Sequence, residues 1–398
     1  MISRLLACLL AFGATAACAA EPLRGTGDLG LVIERGRGSV LVIETSTDTA
    51  PGRVEGLGDL SHASAVFSRD ERFAYVFGRD GGLSKVGLLT RTLAGRVVQG
   101  GNSIGGAISQ DGRLVAVSNY EPGGVRIFDA ATLALVADIP AAYGEAADGG
   151  SAGNKLSKVI GLVDAPGRRF VFSFWDAGEI WVADLRDPAR PEIRRFKDIG
   201  RQPYDALITP DGRHCIAGLF GEDGLALLDL WDPDSGVRRI LPSYGQGGNR
   251  LPVYKMPHLD GWAIAGDRAL VPAVGAHQVL VIDTRTWAEV GRIEVLGQPV
   301  FVRVRPDGRQ VWVNFALPDN GQVQVIDTRD LRIVQTLNPG PGVLHMEFEP
   351  KGEAVWVSVR DADRVDVYDT ATFARTATLP AEKPSGIFLT DRAGRIGL

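Results

Sequence analysis

The sequence predicts an all-β fold, an eight-bladed β-propeller of four-stranded blades closed by pairing of its N- and C-terminal strands. Three observations carry that reading. A unit of strand, Asp-Gly turn, strand, Gly-rich turn, strand ending in Asp, turn and strand repeats along the chain. A marker residue recurs at regular spacing. There are 50 glycines in 398 residues without a collagen period, which signals many tight turns between short strands.

AISQDGRLVAVSNYEPGGVRIFDAATLALVADIP (107–140) shows the unit in full. It returns in ALITPDGRHCIAGLFGEDGLALLDL, in RVRPDGRQVWVNFALPDNGQVQVIDTRDLRIVQTL and in EFEPKGEAVWVSVRDADRVDVYDTATFARTATL. The apolar alternation of VWVNF and VQVID is period-2, as strands with one buried face require. The marker at the end of each third strand is Glu44, Leu89, Asp129, Asp184, Asp229, Asp283, Asp327 and Asp369, at spacings of 45, 40, 55, 45, 54, 44 and 42. Eight such units fit radial sheets with short, protected edges. FLTDRAGRIGL at the C-terminus reads as a first strand with its turn, and GLVIERGRGSVLVIET as the next two, so both termini complete the eighth blade. Two smaller β domains are the alternative, but no linker-like stretch interrupts the repeat.

Residues 1–20 read as a signal peptide, which leaves 21–398 as a single propeller domain. Arg4 supplies the positive start, LLACLLAFGATAA an apolar core, and Ala17-Cys18-Ala19 a small-x-small cleavage pattern. The expected location is therefore the periplasm. TAAC is a poor lipobox because Thr15 stands where Leu is usual, so membrane attachment is expected only if Cys18 is lipidated. Cys215 is then the one cysteine of the mature chain, and there is no CxxCH for a covalent c-type haem. A net charge of -5 argues against a nucleic-acid partner, which needs a basic face.

The two long spacings place extra residues at 141–158 and 242–258, both between the fourth strand of one blade and the first of the next. In a propeller these connections share a face with the second-to-third-strand loops, around the channel mouth. Long loops in a compact domain are commonly functional, so this face is predicted to be the functional one. The register brings four of the five histidines to it: His62, His258 and His345 near the starts of innermost strands, and His277 in a second-to-third-strand loop. His214 lies beside an opposite-face turn and reads as structural. Any one histidine is more readily a hydrogen-bonded core or surface residue. Four at one mouth point to ligand binding or acid/base work.

Arg79, Lys158, Arg303 and Tyr204 are expected on the same face, with Arg201, Arg250, Lys255 and Lys383 in the interblade connections. Exposed loops commonly carry Lys and Arg. Their clustering in a net-negative chain suggests an anionic, polycarboxylate ligand. The repeating aspartates are explained by turn formation, since Asp bonds its own backbone two residues on. Asp148 stands outside the repeat and is a candidate acid/base group, as is His258. A propeller hydrolase of the lactonase kind needs a ring of Asp, Glu and Asn around a hard cation, whereas these registers carry mainly His, Lys and Arg. The two long loops leave room for a homodimer, which no exposed apolar stripe requires.

LSHASAVFSRDERFAYVFGRDGGLSKVGLL resembles the first blade of the haem d1-binding propeller of cytochrome cd1 nitrite reductase, in which a His precedes a short polar strand and an IGRDG-type loop follows. EFEPKGEAVWVSV with LPAEKPSGIFLT resembles the end of the same domain, and the resemblance spans essentially the whole mature chain. It implies His62 as the axial iron ligand and Arg79 near the macrocycle. It also implies haem d1, or its dihydro precursor, as ligand or substrate, and a late redox step of haem d1 maturation or a carrier role. The implied partners are other haem d1 biosynthesis proteins and cytochrome cd1 nitrite reductase. The chain departs from the reductase in lacking CxxCH and in placing Ala65 where an arginine follows the proximal histidine. His258 and His277 are both candidates for the distal position.

Overall fold

A computed structural model describes residues 24–144, 155–245 and 261–397. It forms eight four-stranded antiparallel sheets, with a two-stranded hairpin (Ala142–Tyr143 with Lys155–Leu156) between two of them. Blade 1 starts at Ser64–Phe67, blade 2 at Asn102–Ile108, blade 3 at Val159–Ala165, blade 4 at Pro203–Ile208, blade 5 at Ala263–Ala265, blade 6 at Pro299–Val304 and blade 7 at Val343–Phe348. Each of these is an innermost strand, and the next three strands in sequence follow outward.

Blade 8 is the closure. Its innermost strand is Pro384–Leu389, and Leu29–Glu34, Ser39–Glu44 and Thr49–Val54 lie outside it. The strand starts at Pro384, four residues before the FLTDRAGRIGL stretch that the sequence reading took for it, and Thr390–Gly394 turns into a short 3₁₀ helix instead of extending. The latch is polar as well as apolar. Glu34 is fully buried and accepts hydrogen bonds from Ser39, from Arg53 at 2.5 and 2.9 Å, and from the Glu382 N–H at 3.0 Å. Burial works against its charge, but those bonds outweigh it and hold the carboxyl below its ordinary pKa.

The core lies between blades, as the alternation predicts. Leu31, Ile33, Val40 and Val42 of blade 8 pack with Phe67, Ala74 and Val76 of blade 1, and equivalent clusters recur around the ring. The repeating aspartates end third strands and cap the following turn. Asp129 Oδ1 accepts from the Ala131 and Thr132 N–H groups and from the Thr132 hydroxyl, and Asp369 repeats the pattern with Ala371 and Thr372. Leu89 is the exception: the third strand of blade 1 stops at Gly87.

Candidate functional site

The innermost strands are not regular where they reach the mouth. In blades 3, 4, 6 and 7 the register with the second strand slips by one residue between Val159 and Leu162, Pro203 and Ala206, Pro299 and Val302, and Val343 and Met346. Such bulges re-aim side chains, and the residues they free include Ile160, Tyr204, Phe301 and His345. Backbone groups freed from the ladder need other partners. Buried polar residues of second strands supply several: Ser173 accepts from the Gly161 N–H, Asn314 from the Phe301 N–H, and Ser358 from the His345 N–H at 2.8 Å. Ser118 similarly donates to the Gly105 carbonyl at 2.9 Å. These four side chains are at most 1% exposed.

The bulged strands enclose a cavity of about 280 Å³, whose wall includes Arg35, His62, Tyr204, Phe301, His345 and Phe388. His62 is exposed at its rim. His345 is buried, 5.6 Å from the Phe388 ring and 6.1 Å from Phe301. Its Nδ1 accepts the Ile387 N–H at 3.1 Å, so in the neutral ring Nε2 carries the proton and His345 is a hydrogen-bond donor. Tyr204 has its hydroxyl pKa pushed up to about 12 by burial and by Asp205, so it stays a neutral phenol.

The charges on this face fall into two groups. Lys158 faces Asp176 at 4.0 Å, Arg201 faces Glu222 at 3.2 Å and Lys383 faces Asp363 at 3.7 Å. Arg35 and Arg79 have no ion pair among the described residues. Burial lowers the Arg35 pKa, Arg360 and Arg79 push the same way, and Asp59 opposes them. Arg35 thus feels the guanidiniums of Arg360 and Arg79. Arg360 is itself ion-paired with Asp361 at 2.9 Å, so Arg35 and Arg79 are the pair left to attract anions at this side of the mouth. Arg35 and Arg360 were missed in the sequence, although each directly follows a second strand, Leu29–Glu34 and Ala354–Val359.

Among the larger recesses elsewhere on the molecule, two on the opposite side hold residues singled out in the sequence. One of about 640 Å³ between blades 4 and 5 contains Arg213 and Asp229, already paired at 2.7 Å, and His214, whose ring packs on Trp287 at 5.5 Å. The other, about 540 Å³, is walled by the C-terminal residues 394–397 and by Arg303. Arg303, expected at the mouth, instead ion-pairs with Glu347 and bonds the Met346 carbonyl at 3.0 Å, with Arg392 3.7 Å from the same carboxylate. It lies two residues beyond the bulged Phe301, further down the channel. The mouth cavity, though smaller, holds an exposed histidine, His62, and a guanidinium, Arg35, that has no ion pair among the described residues.

The structure therefore brings His62, Tyr204 and His345 to one cavity, with Arg79 beside Arg35. Lys158 stays on the rim with its aspartate. His277 is exposed in a left-handed cap on the same face, but it is not part of the cavity wall. Asp148 and His258 lie outside the described residues, as do Arg250, Lys255 and the predicted leader.

Residues 24–393 match the model of the cytochrome D1 heme domain. The chain belongs to that family. It is 62% identical over 384 residues to Protein NirF of Pseudomonas aeruginosa, covering 96% of each chain, and 58% identical over 390 residues to Protein NirF of Stutzerimonas stutzeri, covering 98% of each. Among solved structures, dihydro-heme d1 dehydrogenase NirN in complex with DHE superposes with a TM-score of 0.79 at 28% identity, over 93% of this chain and 77% of that one. The family match makes the propeller a d1-type haem domain, as the His-to-GRDG block implied.

Proposed function

We propose that the chain binds a haem d1 precursor at the mouth and performs a late redox step of its maturation in the periplasm. The observation that supports this best is one cavity of a d1-type domain uniting an accessible histidine, His62, with Arg35, beside Arg79. The donor set suits the ligand. A neutral imidazole is a good haem-iron ligand, and guanidiniums pair with carboxylates through two parallel hydrogen bonds. On this reading His62 holds the iron and the two arginines hold peripheral carboxylates. The bound iron tetrapyrrole supplies a conjugated system able to give up electrons. A dehydrogenation releases two electrons to an external acceptor and two protons. His345 Nδ1 already accepts the Ile387 N–H and its Nε2 carries the proton, so His345 orients the substrate as a donor, and proton acceptance falls to His258 or Asp148.

The carrier reading has an observation in its favour too. The cavity is small and His62 is exposed at its rim, which suits hand-over to partner proteins such as cytochrome cd1 nitrite reductase. Anaerobic single turnover separates the two. The mature protein is mixed with stoichiometric dihydro precursor and an electron acceptor, and the absorbance spectrum is followed. Conversion to the haem d1 spectrum, dependent on the protein, supports the enzyme. Binding without conversion supports the carrier.

A further inference from the structure

The mouth cavity of about 280 Å³ falls just below the roughly 300–1,000 Å³ usual for small-molecule pockets. A tetrapyrrole seated there must extend over the rim, so the chemistry of the rim decides how it lies. One repeat position reads that rim around the ring. The residue directly after the second strand is Arg360 in blade 7 and Arg35 in blade 8, but Trp175 in blade 3 and Phe220 in blade 4. In a ring of eight blades, blade 4 stands opposite blade 8. The same structural position thus carries guanidiniums on one side of the mouth and aromatic rings on the other.

Trp175 and Phe220 meet Tyr204, which itself lines the cavity. The three ring centroids lie 5.9 Å (Trp175 to Tyr204), 5.2 Å (Trp175 to Phe220) and 5.7 Å (Tyr204 to Phe220) apart. All three are only partly buried, and none belongs to the packed cores between blades. They form a continuous apolar strip from cavity wall to rim. Resting on the tetrapyrrole reading above, we infer that Trp175, with Tyr204 and Phe220, is a specificity-determining platform that receives the uncharged edge of a planar tetrapyrrole whose carboxylates face Arg35 and Arg79. Guanidiniums reject an uncharged edge that leaves them desolvated, and the aromatic strip rejects a carboxylate it cannot pair. Together the two sides fix which way round the ring is seated.

Two probes test this, haem d1 and its methyl-esterified form, titrated anaerobically against the full mature protein. Trp175→Ala and the bulkier Trp175→Leu are expected to weaken both probes about five- to tenfold, as loss of an aromatic contact implies. Trp175→Phe restores most of the affinity. Arg35→Gln weakens the acid and leaves the ester unchanged. Equal affinity of Trp175→Leu and the parent protein for both probes overturns the platform while the tetrapyrrole reading stands. So does a loss confined to the acid, which would make Trp175 an accessory of the arginines. Failure of the parent protein to bind either probe overturns the tetrapyrrole reading and the platform with it.

Discussion

The mouth and the opposite face of the propeller carry the same kinds of charge and use them differently. On the opposite face the arginines pair with the repeating aspartates: Arg213 with Asp229 at 2.7 Å, Arg285 with Asp283 at 3.1 Å, and Arg329 with Asp327 at 2.6 Å. Those aspartates also accept backbone N–H groups of their own turns, so the pairs belong to the repeat. At the mouth, Arg35 and Arg79 follow no such pattern: neither has an ion pair among the described residues, and Asp59 offsets the surroundings of Arg35 only in part. A charge that recurs with the repeat supports the fold, whereas a charge that breaks the repeat and forms no ion pair points to binding work.

The comparison breaks first, and furthest, in the double variant Arg35→Gln/Arg79→Gln. Hydrogen bonds to charged groups are worth about 1.5–3 kcal/mol each, and about 1.4 kcal/mol is tenfold. The pair is therefore expected to lose on the order of a hundredfold in haem d1 affinity by anaerobic titration, with little change in the melting curve. Ser358→Ala tests how the mouth is shaped. It takes the acceptor from the His345 N–H inside the bulge, and an unsatisfied buried group costs about 1–3 kcal/mol. Denaturant unfolding should show that loss, and ligand affinity should fall with it.

The opposite face should respond only in stability. Asp283 and Asp327 are held down to about 2, the first mainly by the Thr286 N–H and Arg285, the second by Arg329. Their folded-state pKa lies below the unfolded one. Their contribution is therefore complete above about pH 4 and is lost as pH falls toward 2. Asp283→Asn should flatten that acid limb in a pH series of thermal melts without touching ligand affinity. Arg285→Gln, at an exposed pair, should shift the melting curve only slightly. His277→Ala, on the functional face but away from the cavity wall, should leave binding unchanged. A binding defect there equal to that of the mouth arginines would erase the distinction between the regions.

The fold was legible because a repeat states the same physics around the ring: strand alternation and the tight turn recur, and a terminal Asp marks six of the eight units. His62, Tyr204 and His345 were legible through register, since innermost-strand starts converge on an axis. Arg303 was misplaced because a bulge at Phe301 shifts the strand, and two residues further on a side chain already lies down the channel with Glu347. His277 was placed on the correct face, yet register says nothing of radial distance from the axis. The bulges had a readable signal in the buried Ser118, Ser173, Asn314 and Ser358, polar residues inside otherwise apolar strands. Arg35, Trp175 and Phe220 also had one, in the position directly after the second strand, which emerges only when blades are aligned on that boundary.

The central claim is that His62 presents the iron-binding nitrogen of this mouth. It is tested most directly by anaerobic absorbance titration of the mature protein and of His62→Ala with haem d1. The account predicts a low-spin spectrum on binding for the parent protein and loss of that spectrum in the variant, with the melting curve preserved. An unchanged low-spin spectrum in His62→Ala would contradict it and remove His62 from the iron.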